Sequence, residues 1–213
     1  TKKSKNFSTL KEITIFDVGC YIGKFSKNIN TELTKISNKP INYYLFDPNK
    51  NVKELLKKNI EFDYNYYQLG LDNSNTVKNF YLNTNFPASG SSLQRIISSD
   101  KLWNATRAFI LGKTNKLYKV YKVQTQSVDK FCSINNVSTI DILKIDVEGN
   151  EINVIQGAIK KLNSCSIIYA EVIDQKKLFD KKFAQLKQTL EENNFILLNV
   201  KNTLSASIFS HLK

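Results

Sequence analysis

The stretch EITIFDVGCYIGKFSKNI, residues 12–29, places an acid and two glycines between an apolar run and a helical pattern. The apolar run begins at Ile13 and predicts a buried strand, because such strands read as short continuous hydrophobic segments. The apolar positions of the helical pattern are Phe25, Ile29, Leu33 and Ile36. The stretch therefore predicts a strand, a tight glycine turn and a helix in direct succession.

Apolar runs and helical patterns alternate along most of the chain. We predict strands at 12–18, 41–47, 61–69, 76–83, 119–126, 139–146 and 166–172, and helices at 23–36, 50–59, 127–136, 150–162 and 176–193. Such alternation is typical of an α/β fold, in which helices cover both faces of a mostly parallel sheet. Two more predicted strands, 195–200 and 205–211, are too close in sequence for a parallel crossover, so they must run antiparallel.

The loop from Asp17 to Gly23 is the first candidate ligand site. In parallel sheets, ligands bind outside the carboxyl ends of the strands, and this loop follows the first strand. Gly19 permits close backbone approach, and the start of the helix offers free N–H groups to an anion. Because the Asp17 carboxylate attracts a cation instead, the loop predicts a ligand with both charges, such as an amino-acid moiety.

The spacing of the loop narrows the choice of ligand. A dinucleotide fingerprint requires G-x-G-x-x-G, and Tyr21 stands where its second glycine would be. Asp47 ends the second predicted strand and is well placed to accept the hydroxyls of a ribose. An amino acid joined to a ribose indicates S-adenosylmethionine. The alternative for each feature alone is an ordinary turn, since glycines after a strand and Asp-Pro pairs often form one.

The run IDILKIDVEGNEINVIQGA, residues 140–158, surrounds the end of another predicted strand with charged residues. A charged side chain beside a buried strand destabilises the fold unless it has an ion-pair or hydrogen-bond partner or binds a ligand. Asp146 and Glu148 are two residues apart, so they point the same way, toward the ligand edge, if the strand geometry persists. Alternatively, Glu148 and Glu151 belong to no ligand site and only stabilise the N-terminus of the following helix by interacting with its dipole.

Composition limits the remaining possibilities. The net charge of +12 fits either a solvated basic surface or an anionic partner such as a nucleotide-linked sugar, a lipid headgroup or nucleic acid. Specific nucleic-acid recognition relies on arginine, and the chain has only Arg95 and Arg107, so no specific nucleic-acid partner is expected. No apolar run approaches the length of a membrane-spanning helix.

Cysteine and histidine usage argues against a metal site. Cys20, Cys132 and Cys165 are far apart and odd in number, which favours reduced, buried thiols in a cytoplasmic protein. His211 is the only histidine and lies two residues from the end of the sequence. We therefore expect neither a bound metal nor Ser–His chemistry.

These motifs together resemble the FkbM family of S-adenosylmethionine-dependent methyltransferases. The matching pieces are FDVGCYIGKFS, YLFDPN, YQLGLDN, SVDKF, IDILKIDVEGNEINVIQGA and the AEV strand, in the order of the family. The resemblance implies one methyltransferase domain over residues 1–213, with a class I, Rossmann-like three-layer sandwich. Its mostly parallel sheet would have seven strands, the last antiparallel. It also implies transfer of a methyl group from S-adenosyl-L-methionine to a hydroxyl of a sugar, glycan or small-molecule natural product, with S-adenosyl-L-homocysteine as the product.

The resemblance also implies functional residues. The implied cofactor-binding residues are Asp17, Gly19, Cys20, Tyr21, Gly23, Asp47, Pro48, Gln68, Leu69 and Asp146. The glycine loop would hold the methionine end, Asp47 the ribose, and the stretch at Gln68 the adenine. Asp146 or Glu148 would be the catalytic base, with Lys144 as an alternative. The chain departs from the family at Tyr21, where Asn is common, and at Asp47, where Glu is usual.

The irregular segment 84–120 is the expected acceptor-binding insertion, because so long a loop is unusual in a compact domain. Phe86, Trp103 and Tyr118 could stack on a sugar ring, and Arg107 or Lys113 could hold a phosphate of an anionic acceptor. Two other functions stay open. One is methylation of nucleic acid or protein by a basic enzyme, and the other is a non-catalytic binding module.

Overall fold

The computed structural model describes residues 10–84, 91–94, 118–172, 176–201 and 206–211. The strands are β1 Ile13–Val18, β2 Ile41–Phe46, β3 Asn65–Tyr67, β4 Gly70–Leu71, β5 Val77–Asn83, β6 Tyr118–Gln126, β7 Ile142–Ile145, β8 Ile167–Glu171, β9 Phe195–Lys201 and β10 Ala206–His211. The helices are α1 Lys24–Ile36, α2 Val52–Asn59, α3 Val128–Ile134, α4 Glu151–Gln156, α5 Ile159–Leu162 and α6 Lys176–Glu192.

The larger sheet has the strand order β3-β2-β1-β7-β8-β10-β9. β1 pairs in parallel with β2 on one side and β7 on the other. The next pairs outward, β2 with β3 and β7 with β8, are also parallel. β10 runs antiparallel to both of its neighbours, β8 and β9. The predicted α/β fold with a mainly parallel central sheet is therefore confirmed.

Helices cover both faces of this sheet. All six residues of β1 are buried, which is expected for a central parallel strand with both faces packed. Phe16 belongs to the cluster with α3, α4, α5 and α6, whereas Ile15 belongs to the cluster with α1 and α2. The two clusters fix β1 in the middle, so the loop that follows β1 starts from a rigid position.

A smaller sheet of order β4-β6-β5 lies beside the first. All seven residues of β5 pair antiparallel with β6, and Phe80, Leu82 and Val123 form a separate apolar cluster. Tyr81 also bridges to Ser92, which attaches the segment 91–94 to this sheet. The smaller sheet thereby brings Phe80 and residues 91–94 toward the carboxyl ends of β1 and β2.

Two predicted elements are wrong in extent. The strand predicted at 61–69 is only β3, because Phe62 turns to pack on the Tyr43 ring, with centroids 4.5 Å apart. The helix predicted at 150–162 divides into α4 and α5 around Gly157. A Cβ at Gly157 would lie 2.1 Å from the Asp72 carbonyl oxygen, so the crossing chain occupies the space of a side chain there.

One residue of the predicted apolar face of α1 is exposed. Ile36, at the end of the helix, is 77% exposed. Leu33 is the last buried residue of α1. In the part of the chain that the structure describes, no helix is long and apolar enough to cross a membrane.

Candidate active site

A cavity opens at the carboxyl ends of β1, β2 and β7. The glycine loop supplies Gly19 and Tyr21 to its wall, and the loops after β2 and β7 supply six more residues. These six are Asp47, Pro48, Asn49, Asp146, Val147 and Glu148. An apolar wall faces them and consists of Leu69, Leu71, Phe80 and Leu93. Because parallel strands end at the same sheet edge, residues far apart in sequence meet here.

The glycine loop has a left-handed backbone at three positions. Gly19 and Gly23 both have φ of 74°, and Tyr21 between them has φ of 43°. A Cβ at Gly19 would lie 1.7 Å from the backbone oxygen of Asp146. The close approach that the sequence assigned to a ligand is therefore made by the chain itself. Gly23 contacts the Ile60 side chain and is not among the lining residues described for the cavity.

The two loop glycines form a matched pair for substitution. Alanine at either position has the same unfavourable φ, which costs about 1–2 kcal/mol. At Gly23 the nearest atom, 2.4 Å from a new Cβ, is the flexible end of Ile60, whereas at Gly19 it is backbone. We expect Gly19→Ala to lower the free energy of unfolding by roughly 1–3 kcal/mol more than Gly23→Ala does, measured in urea. Equal losses would contradict this packing role of Gly19.

Asp47 lies at the end of β2 and is buried. Its Oδ2 accepts a hydrogen bond from the Tyr21 N–H at 3.1 Å, and its Oδ1 accepts one from the Asn49 N–H at 2.8 Å. Burial raises its pKa to about 6, although these two N–H groups oppose the shift. Each carboxylate oxygen has a second lone pair, so Asp47 can still accept two hydroxyl groups.

Asp17, which the family resemblance implies as a cofactor-binding residue, is not among the residues described as lining the cavity. It is fully buried beneath the glycine loop, where Ser26 Oγ donates to its Oδ2 at 2.7 Å. The Lys144 Nζ lies 3.0 Å from its Oδ1, because the register of β1 and β7 pairs the two residues. Asp17 thus stabilises the glycine loop from its buried side, through Ser26 and Lys144.

Lys144 is itself buried and connects three parts of the site. Its Nζ donates to the Gly19 carbonyl oxygen at 2.7 Å and lies 3.5 Å from Asp146 Oδ2. Burial lowers its pKa, but the carboxylates of Asp17 and Asp146 outweigh burial and hold that pKa above its ordinary value. Lys144 therefore stays protonated, which does not suit the alternative role of a base.

Asp146 and Glu148 both reach the cavity, but not by the predicted geometry. β7 ends at Ile145, and Glu148 has φ of 54°, so the strand does not persist through these residues. The turn after Asp146 brings Glu148 to the cavity wall instead. Within the described lining, the charged residues are all acids, and no group of three or more described His, Cys, Asp or Glu residues could hold a metal ion.

The remaining predicted residues divide between the cavity and its surroundings. Pro48 and Leu69 line the cavity. Cys20 is buried in the core cluster beside α1 and α2, where burial raises the pKa of its thiol, and Gln68 is exposed. Of these residues, Cys20 and Gln68 are not among those described as lining the cavity.

Sequence reasoning missed Glu171, at the carboxyl end of β8 beside Asp146. Burial, followed by the charges of Asp146 and Glu148, raises the pKa of Glu171 to about 7. The signal that identified Asp47, an acid at the end of a buried strand, was present at Glu171 as well. Sequence reasoning also missed Ser92, whose hydroxyl donates to the Val147 carbonyl oxygen at 3.0 Å. A polar loop in an irregular segment gives no comparable signal.

The aromatic and basic residues predicted to bind an acceptor are mostly outside the described residues. These are Phe86, Trp103, Arg107 and Lys113. Tyr118 begins β6, where its ring makes an edge contact with Tyr81 at 6.4 Å between centroids. Tyr118 thus packs within the smaller sheet and is not among the described lining residues of the cavity.

A mainly parallel α/β sheet thus brings the glycine loop and the acids at the strand ends together in one cavity. The model of the family described as "Methyltransferase FkbM domain" matches residues 17–197. The chain therefore belongs to the FkbM methyltransferase family. This membership confirms the predicted class of enzyme, an S-adenosylmethionine-dependent methyltransferase.

Among solved structures, the chain is similar to a candidate RNA methyltransferase from Pyrococcus horikoshii. That match has 10% sequence identity and a TM-score of 0.46, and it covers 94% of this chain and 76% of the other. LepI in complex with SAM matches at 8% identity and a TM-score of 0.45, covering 97% of this chain and 45% of LepI. A pericyclic reaction enzyme matches at 9% identity and 0.44, covering 98% and 45%. No curated protein sequence matches the chain significantly.

Proposed function

We propose that the protein transfers the methyl group of S-adenosylmethionine to a hydroxyl of a sugar, glycan or other small natural product. One observation carries the proposal: a single cavity joins the glycine loop, the Asp47 carboxylate and the acids after β7. The first two can bind a cofactor, and the third can act on an acceptor. Asp146 and Glu148 would lie beside the methyl-transfer site.

The residues on the wall fit the cofactor. Asp47 retains lone pairs for both ribose hydroxyls, and the apolar wall of Leu69, Phe80 and Leu93 offers a surface for a flat purine ring. The glycine loop at Gly19 and Tyr21 would contact the methionine end. When bound, S-adenosylmethionine supplies an activated methyl group for transfer.

The charge of the described lining favours an acceptor without negative charge. Asp47, Asp146 and Glu148 are its charged members, and an anionic acceptor beside them would be repelled. The anionic acceptor considered from the net charge of the chain is therefore not our first choice. The basic residues responsible for that charge are spread along the whole sequence.

A hydroxyl group is a poor nucleophile until its proton leaves, so a base beside the acceptor accelerates transfer. Glu148 is our proposed base, because Asp146 lies 3.5 Å from the Lys144 ammonium and is committed to that ion pair. The rest of the cavity contributes by aligning the acceptor oxygen with the methyl group and by excluding water.

Calorimetry with S-adenosylmethionine and S-adenosylhomocysteine tests the cofactor site. We expect micromolar binding that is lost in Asp47→Ala, followed by detection of S-adenosylhomocysteine production over a panel of neutral and phosphorylated sugars. Turnover with neutral sugars would support the proposal. No cofactor binding would instead indicate a non-catalytic module, and steeply salt-dependent binding of RNA or DNA would favour a polymer acceptor.

Cofactor affinity should depend on pH through Asp47. Its pKa of about 6 means that it becomes protonated in mild acid and then gives up acceptor capacity for the ribose. We expect the Kd of S-adenosylhomocysteine to be nearly flat above pH 7 and to rise roughly fivefold between pH 6 and pH 5. Asp47→Asn should bind weakly with a flat profile over the same range. A flat profile in the unmodified protein would refute the role of Asp47.

A further inference from the structure

Gly149, the residue after Glu148, is held at both of its backbone polar atoms. Its N–H donates to Oε1 of Glu151 at 2.7 Å. Its carbonyl oxygen accepts a hydrogen bond from Nζ of Lys182, on α6, at 2.7 Å. Two side chains from different helices thus fix one residue beside the cavity.

Burying the ionisable side chain of Glu151 to make this contact costs free energy. Only 1% of it is exposed, and burial raises its pKa to about 7 even though the Gly149 N–H and the charge of Lys182 oppose the shift. A buried ionisable side chain is weak evidence for stability, since apolar packing often serves as well. The burial of Glu151 therefore indicates a role other than stabilising the core.

The backbone beside Glu151 is in an unfavourable conformation. Glu148 has φ of 54° and Gly149 has φ of 104°. A residue with a side chain keeps a left-handed conformation only where its surroundings determine it strongly, and such positions cluster at active sites. The preceding residues are already fixed, since the Asp146 N–H bonds the Val18 carbonyl and the Val147 carbonyl accepts Ser92.

The backbone of Gly149 is therefore one determinant of the direction of Glu148. If Gly149 were released, rotation about its backbone could return Glu148 to a relaxed φ and withdraw its side chain from the cavity wall. Glu151 and Lys182 oppose that rotation from the two ends of one residue.

We propose that Glu151 and Lys182 are positioning residues for methyl transfer, which hold Gly149 so that the Glu148 carboxylate stays on the cavity wall. This proposal rests on the proposed function, because it treats Glu148 as the base. Neither side chain is among the residues described as lining the cavity, so neither would touch cofactor or acceptor there.

Four variants separate positioning from general stability. Glu151→Gln keeps an acceptor oxygen for the Gly149 N–H but removes the charge, and Glu151→Ala removes both. Lys182→Met removes the donor at the opposite atom of Gly149. Lys181→Met is the matched control, because Lys181 is the exposed neighbour on α6. Thermal unfolding identifies any variant that fails to fold, and Lys182→Met then tests the same contact independently.

We expect kcat to fall roughly 10–100-fold in Glu151→Ala and Lys182→Met, as for a misplaced catalytic group, with the Kd of S-adenosylhomocysteine nearly unchanged. Glu151→Gln should restore most of the rate, and Lys181→Met should behave as the unmodified protein. Amide hydrogen exchange at Gly149 should accelerate in Glu151→Ala but not in Glu151→Gln. The kinetic assay uses S-adenosylmethionine with the best neutral sugar from the screen.

Unchanged kcat in Glu151→Ala, or a rate that Glu151→Gln fails to restore, would overturn the positioning role. Unchanged exchange at Gly149 would overturn it as well, whether or not an acceptor is known. Failure of the proposed function looks different: the unmodified protein would not bind S-adenosylhomocysteine, while exchange at Gly149 would still respond to Glu151→Ala.

Discussion

Replacing Lys144 with methionine is expected to lower the free energy of unfolding by about 3–5 kcal/mol, the usual cost of removing one partner from a buried ion pair. Asp17 has no exposed surface, and its Oδ1 lies 3.0 Å from the Lys144 ammonium. Methionine fills a similar volume but supplies no charge and no donor. Among the described contacts, the Asp17 carboxylate would then keep the Ser26 hydroxyl bond but no ion pair.

Urea unfolding of three further proteins makes this prediction specific. Lys27→Met, at an exposed lysine of α1, should change the free energy of unfolding by less than about 0.5 kcal/mol. The double variant Lys144→Met, Asp17→Asn should lose less unfolding free energy than the two single variants lose in total, because no uncompensated charge remains. Additive losses, or a loss in Lys144→Met no larger than in Lys27→Met, would contradict the ion pair.

The same variant should also weaken cofactor binding. Lys144 donates to the Gly19 carbonyl oxygen, and a Cβ at Gly19 would overlap the Asp146 backbone, so one buried ammonium links the loops after β1 and β7. Without it, the two loops lose one of the contacts that join them.

Patterns local in sequence allowed much of this architecture to be predicted. Alternating strands and helices indicated the parallel sheet, and acids at strand ends identified Asp47, Asp146 and Glu148 on the cavity wall. Parallel strands that end at one edge turn such a local pattern into a spatial cluster. That step needed no knowledge of side-chain contacts.

Contacts between distant segments could not be predicted in the same way. The pairing of Asp17 with Lys144 depends on the register of β1 against β7, and the close approach at Gly157 involves the backbone carbonyl of Asp72. Neither register nor chain crossing is encoded in the periodicity of one segment. For the same reason, the pattern of β1 alone does not predict that Asp17 lies beneath the glycine loop against Lys144.

Replacing Glu148 with glutamine is expected to lower kcat by 100-fold or more, the usual scale for losing a general base, while the Kd of S-adenosylhomocysteine changes little. Glutamine has nearly the same shape, so packing on the cavity wall and the left-handed backbone should persist. It cannot take a proton from the acceptor hydroxyl. Single-turnover measurement with S-adenosylmethionine and the acceptor isolates this step from product release.

The neighbouring acids decide whether the effect belongs to Glu148. Glu171→Gln removes a carboxylate of pKa about 7 that lies beside Asp146 but is not among the described lining residues. Asp146→Asn removes a lining carboxylate that is paired with Lys144. If Glu148 is the base, kcat should fall most in Glu148→Gln. A normal rate in that variant together with a large loss in Glu171→Gln would transfer the role to Glu171, because a pKa near neutrality is what a base needs at physiological pH.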